Sequence, residues 1–373
     1  MIIARTRRII QGADYSAQEP RVLTQLCEDP SMLKAYMDRK DLYVEIAAIS
    51  FDRPYKYCLE HFPKNCPIKQ NSKGKWEYAR LKSGEDDGKL KFEDLIYDDI
   101  NPEDYDYDKL SDGETDVFKE GKEYRGQAKR ILLGIMYGRG EKSIAEQLGC
   151  TVDEAKAIKN SVYTAFPYIK KFEIASNEKV RQFGFVSTLW GRKRRLPEFN
   201  LPKYQISYID DNGNIMSTPV PQAIKDEITE KLEAKVKAKA YREVDRLIAL
   251  YNEKKGIQII DNGSRIAAAG RQIINAQVQG SAADMSKLAL IKIDNDVELK
   301  KRKVIIIIPV HDEILIETPL RYASFVKKQF SMDMETAARP RLTIPISCDV
   351  VSSERWTGEE LDINEELKGL EEV

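Results

Sequence analysis

The spacing of apolar residues predicts strands near both ends of the chain and helical sequence between them. A largely apolar run from Arg8 to Ala13 reads as a strand that ends at Asp14. The fully apolar run from Val304 to Ile308 predicts a second strand shortly before Asp312. From residue 20 onwards, apolar residues often recur at intervals of three or four, which is the helical period. Two aspartates that are far apart in the sequence therefore follow predicted strands.

The stretch from Arg125 to Gly138 predicts a helix with two different faces. One face carries two cations, an apolar residue and an aromatic one, four positions apart: Arg125, Lys129, Leu133 and Tyr137. The other face is apolar and is expected to pack against a core: Ile131, Leu132, Ile135 and Met136. A cationic stripe that ends in tyrosine suits a triphosphate and a stacked base. An ordinary amphipathic helix with solvated cations explains the same spacing.

Two segments interrupt this pattern and are interpreted as insertions. The first, residues 63–122, contains an acidic run and is either a docking surface for a partner or a solvated, tolerated loop. In the second, residues 200–264, the turn sequence at Asp210 predicts a hairpin between residues 204–209 and 215–216. Apolar residues at every fourth position then predict one long charged helix that ends near residue 256: Ile224, Ile228, Leu232 and Val236.

Charge and composition change the picture in one respect. The formal net charge is −1 at pH 7, but residues 83–120 hold fifteen Asp or Glu against four Lys or Arg, so the remainder carries about +10. That positive balance is enough for a groove that binds nucleic acid.

The composition argues against two other kinds of site. Two histidines and five scattered cysteines argue against a zinc site and fit a reducing cytoplasm. No apolar run approaches the roughly 20 residues of a membrane helix, so no membrane partner is expected.

Asp14 and Asp312 are candidates for a shared metal site. Adjacent antiparallel strands would bring the two together, and an apolar flank is a poor setting for an unpaired carboxylate. Carboxylates that meet in this way can hold divalent cations. The alternative for either residue alone is an aspartate that caps a turn at the end of a strand.

Five stretches, in this order, resemble motifs of the family A DNA polymerases, the bacterial DNA polymerase I group. Residues 14–21 (DYSAQEPR) resemble motif A, the helix at residues 125–138 resembles motif B, and residues 310–313 (VHDE) resemble motif C. Residues 184–192 and 271–284 resemble two further family stretches. The sequence of motif B in residues 132–140 is most similar to that of phage members of the family. This resemblance implies that the protein acts in the cytoplasm of a bacterial host.

The resemblance implies an α+β fold, with a polymerase palm of antiparallel sheet and helices and a helical fingers subdomain. The expected regions are the first part of the palm (1–62), the acidic insertion (63–122), the fingers with motif B (123–199), the second insertion (200–264) and the palm with motif C (265–373). Because the resemblance starts at motif A, a thumb and an exonuclease domain are expected to be absent. A separate N-terminal chain is the expected partner that supplies them.

The resemblance also implies roles for individual residues. Two Mg²⁺ ions, with Mn²⁺ as an alternative, would be held by Asp14, Asp312 and the Tyr15 carbonyl, with Glu313 secondary. Lys129 would be catalytic beside the two aspartates, because it could protonate the leaving pyrophosphate. The implied dNTP-binding residues are Arg125, Lys129, Leu133, Tyr137, Glu19 and Tyr43. The implied contacts to primer–template DNA are Arg271, Asn275, Gln279, His311, Arg192 and Arg194.

Two positions in this set depart from the family pattern. Leu133 replaces the aromatic residue that packs against the sugar, and Tyr43 stands where many members carry a histidine near the phosphates. Glu19, which in the family excludes a 2′-hydroxyl, points to deoxynucleotides. The sequence therefore predicts template-directed DNA synthesis by the C-terminal part of a split or truncated polymerase.

Two alternatives remain open at this point. A fragment of a phage-type single-subunit RNA polymerase shares several of these motifs, although Glu19 and residues 278–284 discriminate against it. A non-catalytic remnant that binds primer–template or a replication partner is the other, and the intact Asp14, Lys129 and Asp312 argue against it.

Overall fold

The computed structural model describes residues 2–53, 55, 58, 68–70, 76–78, 115–210, 212–254, 256–356, 359–361 and 363. The chain divides into two compact units. The first unit comprises Met1–Glu173, Thr188–Arg192 and Gln277–Val373, and the second comprises Ile174–Ser187 and Lys193–Ala276. In the described ranges, no helix combines the length and the apolar character that crossing a membrane requires.

The elements are numbered in chain order. The helices are α1 (Gln18–Cys27), α2 (Pro30–Met37), α3 (Leu42–Ser50), α4 (Thr115–Met136), α5 (Glu141–Leu148), α6 (Val152–Ala165), α7 (Pro167–Phe183), α8 (Gln222–Lys237), α9 (Tyr241–Lys254), α10 (Gly263–Asn295), α11 (Val297–Lys301) and α12 (Ala323–Thr336). The strands are β1 (Arg8–Tyr15), β2 (Ile68–Gln70), β3 (Trp76–Tyr78), β4 (Phe185–Ser187), β5 (Lys193–Arg195), β6 (Tyr204–Tyr208), β7 (Ile257–Asp261), β8 (Ile305–Val310), β9 (Glu313–Pro319) and β10 (Cys348–Ser353).

A four-stranded antiparallel sheet forms the centre of the first unit, in the order β10-β1-β9-β8. Alternate residues of β1 point to opposite faces of the sheet. On one face, the amide of Gln11 donates to the Ala323 carbonyl (3.0 Å) and the hydroxyl of Tyr15 donates to the Met334 carbonyl (2.9 Å), so this face packs against α12. Asp14 therefore lies on the other face. The predicted strand before Asp14 is confirmed.

Helix α4 confirms the two faces that its sequence predicts. Ile131, Leu132 and Met136 are fully buried and Ile135 is nearly so, whereas Lys129 is exposed. This helix packs against α3, which begins where the Asp41 carboxylate accepts from the backbone N–H groups of Tyr43 (2.8 Å) and Val44 (3.3 Å). Such side-chain caps satisfy the unpaired amides of a first helical turn.

The prediction of one long charged helix in residues 200–264 is wrong. The chain forms two helices, α8 and α9, and Lys239 between them adopts a left-handed backbone with φ 56°. Both helices pack on the pair β6–β7 and share one core with it. Because the helix ends at Lys237 and the chain turns, the apolar faces of both α8 and α9 pack on that core. In one straight helix, the residues of α9 would extend beyond the two strands.

The predicted hairpin of the same region is only partly correct. An isolated antiparallel bridge joins Ile209 and Ile215, and Asp210 accepts from the backbone N–H groups of Asn212 and Asn214 in the turn. The main partner of β6, however, is β7, almost fifty residues further along the chain. Long-range pairing thus replaced a local one.

The α+β class is confirmed by helices combined with antiparallel sheets. The second unit contains the whole predicted insertion 200–264 and extends beyond it on both sides. The region boundaries themselves stay predictions. Most of the acidic insertion 63–122 lies outside the described residues; β2, β3 and the start of α4 fall within it.

A buried carboxyl group in the first unit gives a pH-dependent stability. Asp333 on α12 is only 2% exposed, and its Oδ1 lies 3.6 Å from Nζ of Lys292. Burial, followed by repulsion from Asp296, raises the pKa of Asp333 to about 6. The folded state then holds this proton more tightly than the unfolded chain, so its contribution to stability is lost as pH rises through about 6.

We expect Asp333→Asn to stabilise the protein by about 1–2 kcal/mol at pH 7.5, because it removes the cost of a buried negative charge. Near pH 4.5 the gain should vanish, since wild-type Asp333 is protonated there. Denaturant unfolding at both pH values measures the difference. Asp245→Asn, at an exposed position of α9, removes the same charge as a control. A gain that does not depend on pH would contradict this explanation.

Candidate active site

The register of the central sheet places three carboxylates side by side. Asp14 on β1 lies directly opposite Glu313 on β9 and Asp349 on β10. Asp312 precedes Glu313 in the two-residue turn between β8 and β9, where His311 adopts φ 56°. Positive φ is typical of two-residue hairpin turns. The structure brings Asp14 and Asp312 close enough to interact electrostatically, but not on adjacent strands as predicted: β9 lies between β1 and β8, and Asp312 belongs to the turn after β8.

The electrostatics of this cluster favour a cation. Partial burial, and then the charges of Asp312, Glu313 and Asp349, raise the pKa of Asp14 to about 6. Like charges directly opposite one another weaken a sheet, and a divalent cation would relieve the repulsion. Carboxylate and carbonyl oxygens are the ligands that Mg²⁺ prefers.

The cluster is not a complete metal cage. Among the residues that the structure describes, no three His, Cys, Asp or Glu side chains converge closely enough to hold an ion. Mg²⁺ usually keeps several waters and binds one or two carboxylates together with substrate phosphates. Asp14, Asp312 and the Tyr15 carbonyl fit that kind of site.

Several contacts hold the carboxylates in place. The Ser16 hydroxyl donates to Asp349 Oδ2 (2.9 Å), and the Trp356 indole N–H donates to Glu313 Oε2 (3.2 Å). The absence of a side chain at Gly12 leaves room for the Glu313 carboxylate in its present position, since a Cβ there would push the carboxylate aside. Arg21 links the end of β1 to the start of β10. Its Nε donates to the Ser16 carbonyl (2.8 Å), and its guanidinium also donates to the Pro345 carbonyl and the Ser347 hydroxyl, just before β10.

A cavity of about 570 Å³ opens above this cluster within the first unit. Carboxylates from the strands and cations from the helices and a turn line it. The predicted site residues that line it are Asp14, Tyr15, Glu19, Tyr43, Arg125, Lys129, Leu133, Tyr137 and Asp312. The structure thus brings nine predicted residues from four separate parts of the sequence into one place.

The cations of α4 differ in their engagement. Nε of Arg125 donates to Oδ2 of Asp41 (2.8 Å), and its guanidinium carbon lies 5.6 Å from the centre of the Tyr43 ring. Lys129 is exposed and forms no hydrogen bond or ion pair with any described residue. Burial, and then the carboxylates of Glu19 and Asp41, raise the pKa of Tyr43, so its phenol stays neutral.

Hydrogen bonds connect Tyr137, directly after α4, to Glu19 in the first turn of α1. The Tyr137 hydroxyl donates to both carboxylate oxygens of Glu19, at 2.9 and 3.1 Å. The side-chain amide of Gln279 donates to Glu19 Oε1 (3.2 Å) and to the Tyr137 hydroxyl (3.3 Å). Motif A, the motif B helix and α10 therefore meet through hydrogen bonds at one carboxylate.

A sequence model described as DNA polymerase family A matches residues 114–212 and 225–358, which together exceed half of the chain. The chain belongs to DNA polymerase family A. The matched ranges contain the α4 residues and Asp312 but not Asp14, whose place in the site rests on the strand register.

Individual relatives agree with the family match. The chain is similar to DNA polymerase I of Borreliella burgdorferi, with 29% identity over 229 residues, which is 61% of this chain and 18% of that protein. It is also similar to DNA polymerase theta of Drosophila melanogaster, with 24% identity over 242 residues, 63% of this chain and 9% of that one. The chain thus spans less than a fifth of these curated relatives.

A solved structure has the same fold. The POL domain of Pol1 from M. smegmatis, in complex with DNA primer-template and dNTP, superposes with a TM-score of 0.57 at 18% identity. The superposition covers 95% of this chain and 41% of that one. At this identity the likeness shows the fold alone.

The predicted DNA contacts are distributed over both units. In the first unit, His311 is exposed beside Asp312, Gln279 bonds to Glu19, and Arg192 donates to Asp284 (2.8 Å) and the Gly280 carbonyl (2.8 Å). In the second unit, Arg194 donates to Gln272 (3.3 Å), Arg271 is exposed, and Asn275 is half-buried. The roles of these residues stay predictions.

Four charged residues that line the cavity lie outside the predicted motifs and were not predicted as site residues: Asp349, Asp41, Arg39 and Lys40. Asp349 lies in a strand without a recognisable motif, and only its pairing with β1 reveals it. Asp41 was detectable as a helix cap, because an aspartate precedes the apolar start of α3. Arg39 and Lys40 carry no local signal beyond their charge.

We expect 10 mM Mg²⁺ to raise the unfolding temperature of the wild-type chain and to leave that of Asp14→Asn unchanged. At ten times its Kd, a ligand stabilises the state that it binds by about 1.4 kcal/mol, on the order of 2 °C here. Without Mg²⁺, Asp14→Asn should be at least as stable as wild type, because it relieves the carboxylate repulsion. An equal Mg²⁺ shift in both proteins, measured by calorimetry, would exclude Asp14 as a ligand.

Proposed function

We propose that this chain catalyses template-directed DNA synthesis, the transfer of a deoxynucleotide to the 3′-hydroxyl of a primer. One observation carries the proposal: a single cavity joins the carboxylates Asp14 and Asp312 to the cations Arg125 and Lys129. Phosphoryl transfer depends on positioning and on stabilising charge at the phosphates, and this cavity offers groups for both. Family membership supports the same reaction.

The metal ions of this reaction fit the acidic side of the cavity. We propose that Asp14, Asp312 and the Tyr15 carbonyl hold two Mg²⁺, with Glu313 in support. Bound divalent cations lower the pKa of an attacking hydroxyl and neutralise charge on the leaving phosphates. Mn²⁺ has the same ligand preference and is an alternative.

The cationic side chains of α4 bind the phosphates of the nucleotide in this proposal. Arg125 binds the triphosphate with a guanidinium that Asp41 and Tyr43 already orient. Lys129, exposed in the same cavity, donates a proton to the leaving pyrophosphate. The Tyr137 ring stacks near the templating base, and Leu133 packs by the sugar without offering a hydroxyl.

Glu19 selects the sugar in this proposal. Its carboxylate is fixed by Tyr137 and Gln279, so a 2′-hydroxyl would find an anchored group in its way. This supports deoxynucleotides as substrates over ribonucleotides and argues against the RNA polymerase alternative. The phage resemblance, the bacterial cytoplasm as location and a separate chain that supplies a thumb stay predictions.

Primer extension tests the reaction directly. With a short primed template, Mg²⁺ and four dNTPs, we expect the wild-type protein to extend the primer. Asp312→Ala should reduce the rate by about 10³-fold or more, because the charge that holds the metal is lost. Asp245→Asn serves as a control of similar charge change outside the cavity. Extension by wild type and Asp312→Ala at equal rates would refute the assignment, and no extension by wild type would favour the non-catalytic alternative.

Tyr137→Phe tests the anchoring of Glu19. The change removes one hydrogen bond to a carboxylate, worth about 1.5–3 kcal/mol, and keeps the ring that stacks on the base. We expect incorporation of a ribonucleotide, relative to the matching deoxynucleotide, to rise about tenfold or more. Single-nucleotide extension with dATP and ATP measures the ratio. Tyr163→Phe, which removes a hydroxyl bonded to Glu173 outside the cavity, is the matched control. An unchanged ratio would separate Glu19 from sugar selection.

A further inference from the structure

Arg39 lies in the turn between α2 and α3. Its side chain is exposed and lines the same cavity as Arg125 and Lys129. Its backbone is left-handed, with φ 56°. No motif of the sequence marks this residue, and the assignments above do not use it.

The backbone conformation of Arg39 is one that glycine adopts more easily. In the left-handed region a Cβ is crowded, so residues other than Gly, Asn and Asp are uncommon there. An arginine in such a position is a reason to look for a function of its side chain. The turn would form at least as well without it.

The other cations near this end of the cavity are mostly engaged. Nζ of Lys40 lies 2.7 Å from the Glu45 carboxylate, and Arg125 is paired with Asp41. Arg39, like Lys129, forms no side-chain hydrogen bond or ion pair with any residue that the structure describes. Its guanidinium is therefore available for an anion that enters the cavity.

The residue at position 43 explains why a further cation near the phosphates is useful. Tyr43, at the start of α3, is buried at 5% exposure, and its phenol is neutral. It can donate one hydrogen bond but brings no positive charge to a phosphate. A guanidinium supplies both charge and a planar pair of donors that matches phosphate oxygens.

We propose that Arg39 binds the triphosphate of the incoming nucleotide, together with Arg125 and Lys129. The inference rests on the proposed function in its choice of ligand. Arg39 acts as a binding residue: it contributes affinity for the phosphates and takes no part in proton transfer.

Nucleotide binding without DNA tests this role independently of synthesis. Wild type, Arg39→Gly and Arg39→Lys are titrated into dATP that is fluorescently labelled on its base, with Mg²⁺ present. We expect Arg39→Gly to weaken binding about five- to tenfold and Arg39→Lys to recover part of the loss. Competition by inorganic tripolyphosphate should weaken in parallel, whereas competition by dAMP should change less than twofold, because its single phosphate lies near the reacting carboxylates.

Lys303→Gly is the matched control. Lys303 is an exposed cation with φ 55° in the turn before β8, and it does not line the cavity. This variant removes the same charge and the same backbone strain, so its nucleotide Kd should stay within twofold of wild type. Both glycine variants should unfold at or above the wild-type temperature. If Arg39→Gly unfolds earlier, Arg39→Lys decides, since it keeps a side chain at this position.

Equal binding of dATP by wild type and Arg39→Gly would overturn the proposal. Absence of nucleotide binding by wild type would overturn it as well, together with the proposed function. If nucleotide binding depends on Arg39 but the protein does not extend a primer, the phosphate-binding role of Arg39 is supported and the proposed DNA synthesis is rejected. Where extension occurs, Arg39→Gly should raise the KM for dNTP five- to tenfold and change kcat less than twofold.

Discussion

The pairing of β1 with β9 on one side and β10 on the other is the constraint on which the site depends. Residues directly opposite one another in an antiparallel sheet point to the same face, and the register makes Asp14 the neighbour of Glu313 and Asp349. A one-residue shift of β1 relative to its neighbours would turn Asp14 toward α12, away from Glu313 and Asp349. The buried hydrogen bonds of Gln11 and Tyr15 to α12 oppose that shift, so packing on one face fixes the chemistry on the other.

The cavity above this sheet has sides of opposite charge, and each side comes from a different kind of element. Strand ends and the β8–β9 turn supply the carboxylates of Asp14, Asp349 and Asp312, while α4 and the turn before α3 supply most of the cations. A phosphate alone would be repelled by the first side, and a metal ion alone by the second. A metal–nucleotide complex presents both charges at once, and the arrangement favours that ligand over either part by itself.

The parts of this arrangement that sequence predicted are those with a local signal. The strand before Asp14 and the faces of α4 follow from apolar spacing alone, and both were confirmed. Asp349 and Arg39 depend on which elements meet in space, which no single stretch of sequence records. Asp41 has a local signal as a helix cap, but its place in the cavity depends on the same meeting of elements. The same limit explains the helix predicted through Lys239: a four-residue apolar period continues across the break, and only the shared core with β6 and β7 shows that the chain must turn there.

In the structure, the guanidinium of Arg125 is paired with the Asp41 carboxylate. Under the proposed function, a phosphate that binds Arg125 would replace the Asp41 carboxylate, so only the difference between two charge-assisted bonds would contribute to affinity. The guanidinium is already ordered, and little further side-chain freedom is lost on exchange. When product leaves, Asp41 is still in place as the helix cap of α3 and can take the guanidinium back. In that scheme, a helix-capping carboxylate would lower the cost of product release as well as orient Arg125 for binding.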